Sequence, residues 1–416
     1  MHRNSSPQSL AFVGVFRSWR IGILLLGGLS SGCATYEYHE AKRVDVSKSV
    51  ISEQSPELLL DVGIRLFDSG IDLIEDASIE YESVRASEAV WFSQQLKTTL
   101  ETSRAWGLVR ILPDSNAETD LNIEGQLIES NGETVVIKIK ATDSLDQIWL
   151  DKEYAYRASQ YSYNPEIQFK GDPFQPLITE VANNLFDVLA TKSNTELTKV
   201  RQVGKLKFAE FFLPELVDDY MRREGDEIVL IGAPAENDPM MARIDRIQAR
   251  NQMFLDVVQD YYRAFNKNME SPYAEWRKLG YREVVYERQL RQQAKQERIA
   301  GIALMAAGVV ASRGSGTSNT IGRYLSLVSG GWLFARSYGK DNEASIHGET
   351  LRELGVSLEN ELAPSVVDLQ ERTVTLSGTV EEQFESWRDI LQQMFVNEFP
   401  EAVIEADLEQ PVTSGI

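Results

Sequence analysis

The chain has 416 residues, 43% of them hydrophobic, with one cysteine, three histidines and a formal net charge of −21. That length fits two or three domains, and the apolar content is enough to build packed cores. So acidic a surface excludes nucleic acid as a partner. One cysteine and scattered histidines leave no disulfide, no thiolate metal site and no cysteine–histidine pair, and no metal or cofactor is expected.

Residues 1–32 have the layout of a secretory signal peptide. Arg17 and Arg20 supply positive charge, Ile21 to Leu29 an apolar run, and Ser30, Ser31 and Gly32 the small residues before a cleavage point. The run is about nine residues, well short of the roughly 20 that a membrane-spanning helix needs. Small residues directly before Cys33 resemble the bacterial lipobox, although the aliphatic Leu29 lies four before the cysteine and Ser30 takes its usual place. The resemblance implies that the Cys33 thiol is lipidated and becomes the first mature residue. An ordinary signal peptide beside a chance cysteine is the plain alternative. Ala34 is not the Asp that inner-membrane retention would need, so the resemblance implies a lipid anchor in the outer membrane, facing the periplasm. Losing Arg3, Arg17 and Arg20 with the signal takes the net charge from −21 to −24.

Residues 33–56 carry no apolar period and read as a lipidated tether. From 57 the pattern becomes regular. Leu58 to Phe67 has the apolar density of a buried strand, and Ala89, Phe92, Leu96 and Leu100 share one helical face across Arg85 to Ser103. Trp106 to Leu112 is a short strand stopped by Pro113. Three alternating runs follow, Leu121 to Ile128, Thr134 to Ala141 and Ile148 to Tyr156, and Asn131-Gly132 joins the first two as a tight hairpin with positive φ at both positions. Asp172-Pro173 reads as a cap and first helical residue for a helix through Leu177, Val181, Leu185 and Leu189.

This order describes a compact α/β domain over 57–192. Its segments Val62 to Gly70, Leu121 to Gly125 and Ile148-Trp149 resemble the fold shared by the TolB amino-terminal domain, the curli-secretion lipoproteins and the lipoprotein activators of penicillin-binding proteins. Downstream there is no repeat of the length a propeller would need.

Residues 193–298 read as helical. Asp238-Pro239 caps a helix with Ile244, Ile247, Phe254, Val258, Tyr261 and Phe265 on one face, and Ser271-Pro272 starts a second, making a helical hairpin. Tyr261, Tyr262 and Trp276 read as core or interface rather than a cofactor box. Residues 299–340 contain no Asp or Glu but carry Arg313, Arg323, Arg336 and Lys340. Two apolar stretches, Ile299 to Ala311 and Ile321 to Ala335, flank a Gly/Ser/Thr loop and read as a basic apolar helical hairpin. Ala303, Ala307 and Ala311, and then Gly322, Ser326 and Gly330, recur at four-residue spacing, forming a proposed helix-packing or interaction face. Burial inside the helical region, insertion at a lipid surface and self-association all fit it.

Residues 341–416 read as a helix through Leu351, Leu354 and Leu358, then a strand–strand–helix unit. Thr373 to Val380 is its second strand, and Phe384, Trp387, Leu391 and Met394 line its helix. Val374 to Gly378 resembles the BON domain, a small periplasmic module associated with membranes. The fold class expected is α+β: an N-terminal α/β domain with a mixed sheet and meander, a helical middle and a small C-terminal α/β unit.

Catalytic motifs are missing: there is no G-x-S-x-G elbow, no Walker phosphate loop and no H-E-x-x-H. Gly314-Ser-Gly316 lacks the lysine that grips phosphate. Glu381-Glu382 and Asp218-Asp219 are adjacent, and neighbours on a helix diverge, whereas a glycosidase pair comes from separate elements. The expectation is a non-catalytic scaffold or docking factor whose partner is an unidentified envelope protein. A peptidoglycan-acting hydrolase with a carboxylate-only site is the alternative.

Overall fold

The computed structural model describes residues 55–73, 79–113, 117, 119–163, 171–225, 227–235, 237–311, 362–369 and 372–398. Five strands and two helices build the first part. Strand β1 (Val62–Arg65) leads to α1 (Ile79–Ser103), then β2 (Val109–Leu112), β3 (Leu121–Ser130), β4 (Thr134–Asp143), β5 (Ile148–Arg157) and α2 (Gln175–Thr191). The sheet order is β2-β1-β3-β4-β5, with β1 parallel to both neighbours and the last three strands an antiparallel meander. Both helices lie along the sheet and on each other. Ala89, Phe92, Leu96 and Leu100 of α1 are buried, as are Val62, Ile64, Leu127, Ile137 and Ile139 of the strands. Gly125 leaves the room in which the Phe67 ring sits: a Cβ there would lie 2.4 Å from it.

The β3–β4 turn differs from the expected two-residue form. Only Gly132 has positive φ (81°), while Asn131 turns its side chain to the job, its Oδ1 accepting from Glu133 N (3.0 Å) and Thr134 N (2.8 Å). At the other hairpin, Asp143 Oδ1 accepts from Leu145 N and Gln147 N and its Oδ2 from Trp149 Nε1, which fixes the β4–β5 connection. Helix α2 also starts later than Asp172-Pro173 implies. Its first residue is Gln175, with Pro176 in the first turn. Asp172 Oδ1 accepts from Phe174 N (2.7 Å), a turn before the helix.

Helix α3 (Asn194–Glu210) opens on a full capping box, Ser193 with Glu196. A short α4 (Pro214–Asp218) and a hairpin of β6 (Met221–Glu224) and β7 (Glu227–Leu230) follow, strands that helical patterning did not reveal. Then comes α5 (Pro239–Ala311), 73 residues and about 110 Å long. Asp238 caps it as expected, its Oδ1 accepting from Met240 N (2.8 Å) and Met241 N (3.2 Å). Pro272 does not start a second helix; it lies inside this one. The lost backbone bond and the ring clash cost about 3 kcal/mol. Packing holds the helix through it, because Met269 and Tyr273 on either side are fully buried. The two helices expected to open at Asp238-Pro239 and Ser271-Pro272 and form a hairpin are therefore a single rod.

The helix expected through Leu351, Leu354 and Leu358 lies outside the described residues; the strand–strand–helix order after it is seen, with β8 (Leu362–Leu369) and β9 (Arg372–Gly378) pairing antiparallel and leading into α6 (Val380–Glu398). Thr379 and Glu382 cap α6 reciprocally. Its Phe384, Trp387, Leu391 and Met394 are buried, and Trp387 stacks on Phe254 of α5 with centroids 5.7 Å apart. One apolar cluster runs from Leu60 to Phe395, so α/β part, rod and C-terminal unit share a core. The fold is α+β.

Candidate functional site

The residues singled out in the sequence fall in three places. Ala303, Ala307 and Ala311 occupy the last turns of α5, as backbone of the same continuous rod. Cys33, Gly322, Ser326 and Gly330 lie outside the described residues, as does the second limb of the apolar stretch. Tyr262 is fully buried, and Tyr261 and Trp276 pack on the core. Among the described residues no helix is long and apolar enough to cross a membrane, and no group of His, Cys, Asp and Glu has metal-site geometry.

Two clefts carry polar chemistry. The first forms at one end of the parallel strands, because Val62 pairs with Leu121 and so brings Asp61 and Asp120 side by side. Asp120 Oδ2 accepts from Asp61 N (2.9 Å), and Asp61 Oδ1 from Leu108 N (2.7 Å). Arg201 Nε lies 3.8 Å from Asp120 Oδ2. Helices α3 and α5 close a space of about 350 Å³ around them. Burial, and then the nearby Asp61, push the Asp120 carboxyl from 3.8 up to about 6 against the Asp61 amide and Arg201. Such a group exchanges protons near neutrality. Yet each acid already holds a backbone amide, which is a structural task.

The second cleft, about 790 Å³, runs between α1 and α5. Its floor is a buried ion pair between distant segments. Arg277 Nη1 donates to Asp172 Oδ1 (3.0 Å) and Oδ2 (2.8 Å), and Trp91 Nε1 donates to Oδ2 (3.0 Å). The guanidinium lies 4.2 Å from the Tyr273 ring centroid. One turn further in, the fully buried Glu88 Oε1 accepts from Ser130 Oγ (2.6 Å) and Tyr273 Oη (2.7 Å). Burial raises the Glu88 carboxyl above its ordinary range, with Arg85 pulling the other way. The hairpin tip docks against the rod here: a Cβ on Gly132 would sit 2.4 Å from the Arg277 carbonyl oxygen. Further out, Arg288 pairs with Glu133.

Sequence reasoning marked none of these groups as a site: Asp172 was read only as a helix cap and Gly132 only as a turn residue. One signal was present: Arg277 continues the row Phe265, Met269, Tyr273 at four-residue spacing, a charge on an apolar stripe. Nothing in the chain order marks Asp172 as its partner, 105 positions away.

No family model, curated protein or solved structure matches the chain.

Proposed function

We propose that the chain is a non-catalytic outer-membrane lipoprotein that scaffolds, or docks onto, an envelope assembly. The observation that supports this most is the continuous α5 rod. It carries the α/β sheet on one stretch and the C-terminal helix on another, through Arg277 and Phe254. From Arg288 to Ala311 it runs on for roughly 34 Å, into the acid-free apolar segment. A rigid arm fixed to a folded body suits a part that spaces or joins other parts. A lipid on Cys33 would tether the chain to the membrane. Self-association through Ala303, Ala307 and Ala311 fits the same role.

The test places a photo-crosslinking amino acid at Gln292 on the rod and, as a control, at Lys138 on the sheet's outer face. Crosslinks to an envelope protein from Gln292, dependent on Cys33, are expected. Their absence, or no incorporation of labelled palmitate at Cys33, would contradict the proposal. The alternative, a carboxylate-only peptidoglycan hydrolase, has the Asp61–Asp120 cleft in its favour. Release of soluble fragments from purified peptidoglycan, abolished by Asp120→Asn, would support it instead.

A further inference from the structure

The cleft between α1 and α5 has an unusual floor: polar groups are built into it and left without partners. Gln94 on α1 is buried, and its Nε2 donates to Thr98 Oγ1 at 3.3 Å, but its Oε1 has no partner among the described residues. Asn266 Oδ1 on α5, across the cleft, has none either, and nor does Nε of Arg277, whose side chain is 3% exposed. All three residues line the same space. A buried acceptor or donor without a partner is costly, and native structures keep few of them without a role.

The charges of the cleft say what kind of ligand would supply the missing bonds. Arg277 is neutralised by Asp172 through two hydrogen bonds, and Lys278 pairs with Glu275 at 3.2 Å. Lys267 and Glu270, one of each sign, stand exposed at the rim, where Arg263 is paired with Asp260 at 2.6 Å. The site therefore holds no net charge for an anion such as phosphate. Two acceptors and one donor in fixed positions suit groups that both give and take a hydrogen bond. Hydroxyls on a rigid ring do this, and a volume of about 790 Å³ lies in the range of ligand sites.

We infer that this cleft binds a neutral, polyhydroxylated chain, a glycan strand, using Gln94, Asn266 and Arg277 as hydrogen-bonding groups. The inference is independent of lipidation and of any protein partner. The sugar backbone of peptidoglycan and the neutral outer hexoses of the lipopolysaccharide core share this chemistry.

The test titrates the full chain, purified in detergent, with chitotetraose, purified lipopolysaccharide core oligosaccharide and, by co-sedimentation, isolated peptidoglycan sacculi. Saturable binding to at least one of them is expected. Gln94→Leu replaces an unsatisfied amide with an apolar group of similar size. It should leave the melting temperature unchanged or higher, yet weaken binding about tenfold, the value of one hydrogen bond. Ala274→Trp, at an exposed position on the cleft wall, should block binding without unfolding the chain. Binding with this variant dependence supports the inference, and the probe bound names the source. Binding to none of the three, or binding that both variants leave intact, overturns it.

Discussion

Replacing Arg277 by Met probes the junction between rod and sheet most sharply. Arg277 and Asp172 side chains are 3% and 9% exposed and share hydrogen bonds of 2.8 and 3.0 Å. Met keeps the stem that packs over Tyr273 but removes the guanidinium. Asp172 then retains only Trp91 Nε1 and Phe174 N for a charge that water barely reaches. Breaking a buried pair from one side costs about 3–5 kcal/mol, and the lost contact with the Tyr273 ring adds about 1 kcal/mol. Adding Asp172→Asn removes the stranded charge while keeping an acceptor, and should recover about half the loss. Urea unfolding followed by tryptophan fluorescence reads all four members of the cycle, with Trp91 reporting from the site itself. If Arg277→Met costs under about 1 kcal/mol, or Asp172→Asn worsens it, the ion pair does not fasten the rod to the sheet.

Asp120 gives a pH dependence with a definite sign. Its folded value, about 6, lies above the ordinary 3.8 because of burial and then Asp61, so the folded state binds more protons. Its favourable contribution is complete below about pH 4 and is lost as pH rises through 6. Asp120→Asn should therefore gain on the wild type by about 3 kcal/mol across that window, and a stability difference flat from pH 4 to 7 would refute this. Gly132→Ala combines φ of +81° with a Cβ 2.4 Å from the Arg277 carbonyl, so a loss of about 2–3 kcal/mol is expected in thermal unfolding; a neutral result would mean the hairpin does not touch the rod. Gln259 closes the edge strand β2, its Oε1 accepting from Ile111 N (2.8 Å) and its Nε2 donating to Ile111 O (2.9 Å). Gln259→Leu should cost about 2 kcal/mol and raise hydrogen exchange at Ile111, and unchanged protection there would show that the edge is sealed by something else.

What the sequence made legible follows from how local each signal is. The meander stood out because Leu121 to Tyr156 alternates along most of its length, and α2 because Leu177, Val181 and Leu185 keep one face. The turn geometry at Asn131 was hidden, since a side-chain acceptor can do what positive φ does. Pro272 misled for a different reason: its local cost is real, but Met269 and Tyr273 are held by residues far along the chain. The strands β6 and β7 are four residues each: β6, Met221-Arg-Arg-Glu224, is mostly charged, and β7, Glu227-Ile-Val-Leu230, is too short to show an alternation. The cleft between α1 and α5 was beyond sequence reasoning, because Gln94, Asp172 and Arg277 meet only when three separated segments fold together.

The most direct test of the account is whether α5 is one rod through Pro272. Spin labels on Met253→Cys and Gln292→Cys, both at exposed positions on either side of that proline, can be placed in a Cys33→Ser background where they are the only thiols. A continuous helix sets them about 58 Å apart in pulsed electron paramagnetic resonance. A hairpin folded at Ser271-Pro272 would bring them within about 20 Å, the spacing of two packed helices plus label arms, and would contradict the rod on which the proposed role rests.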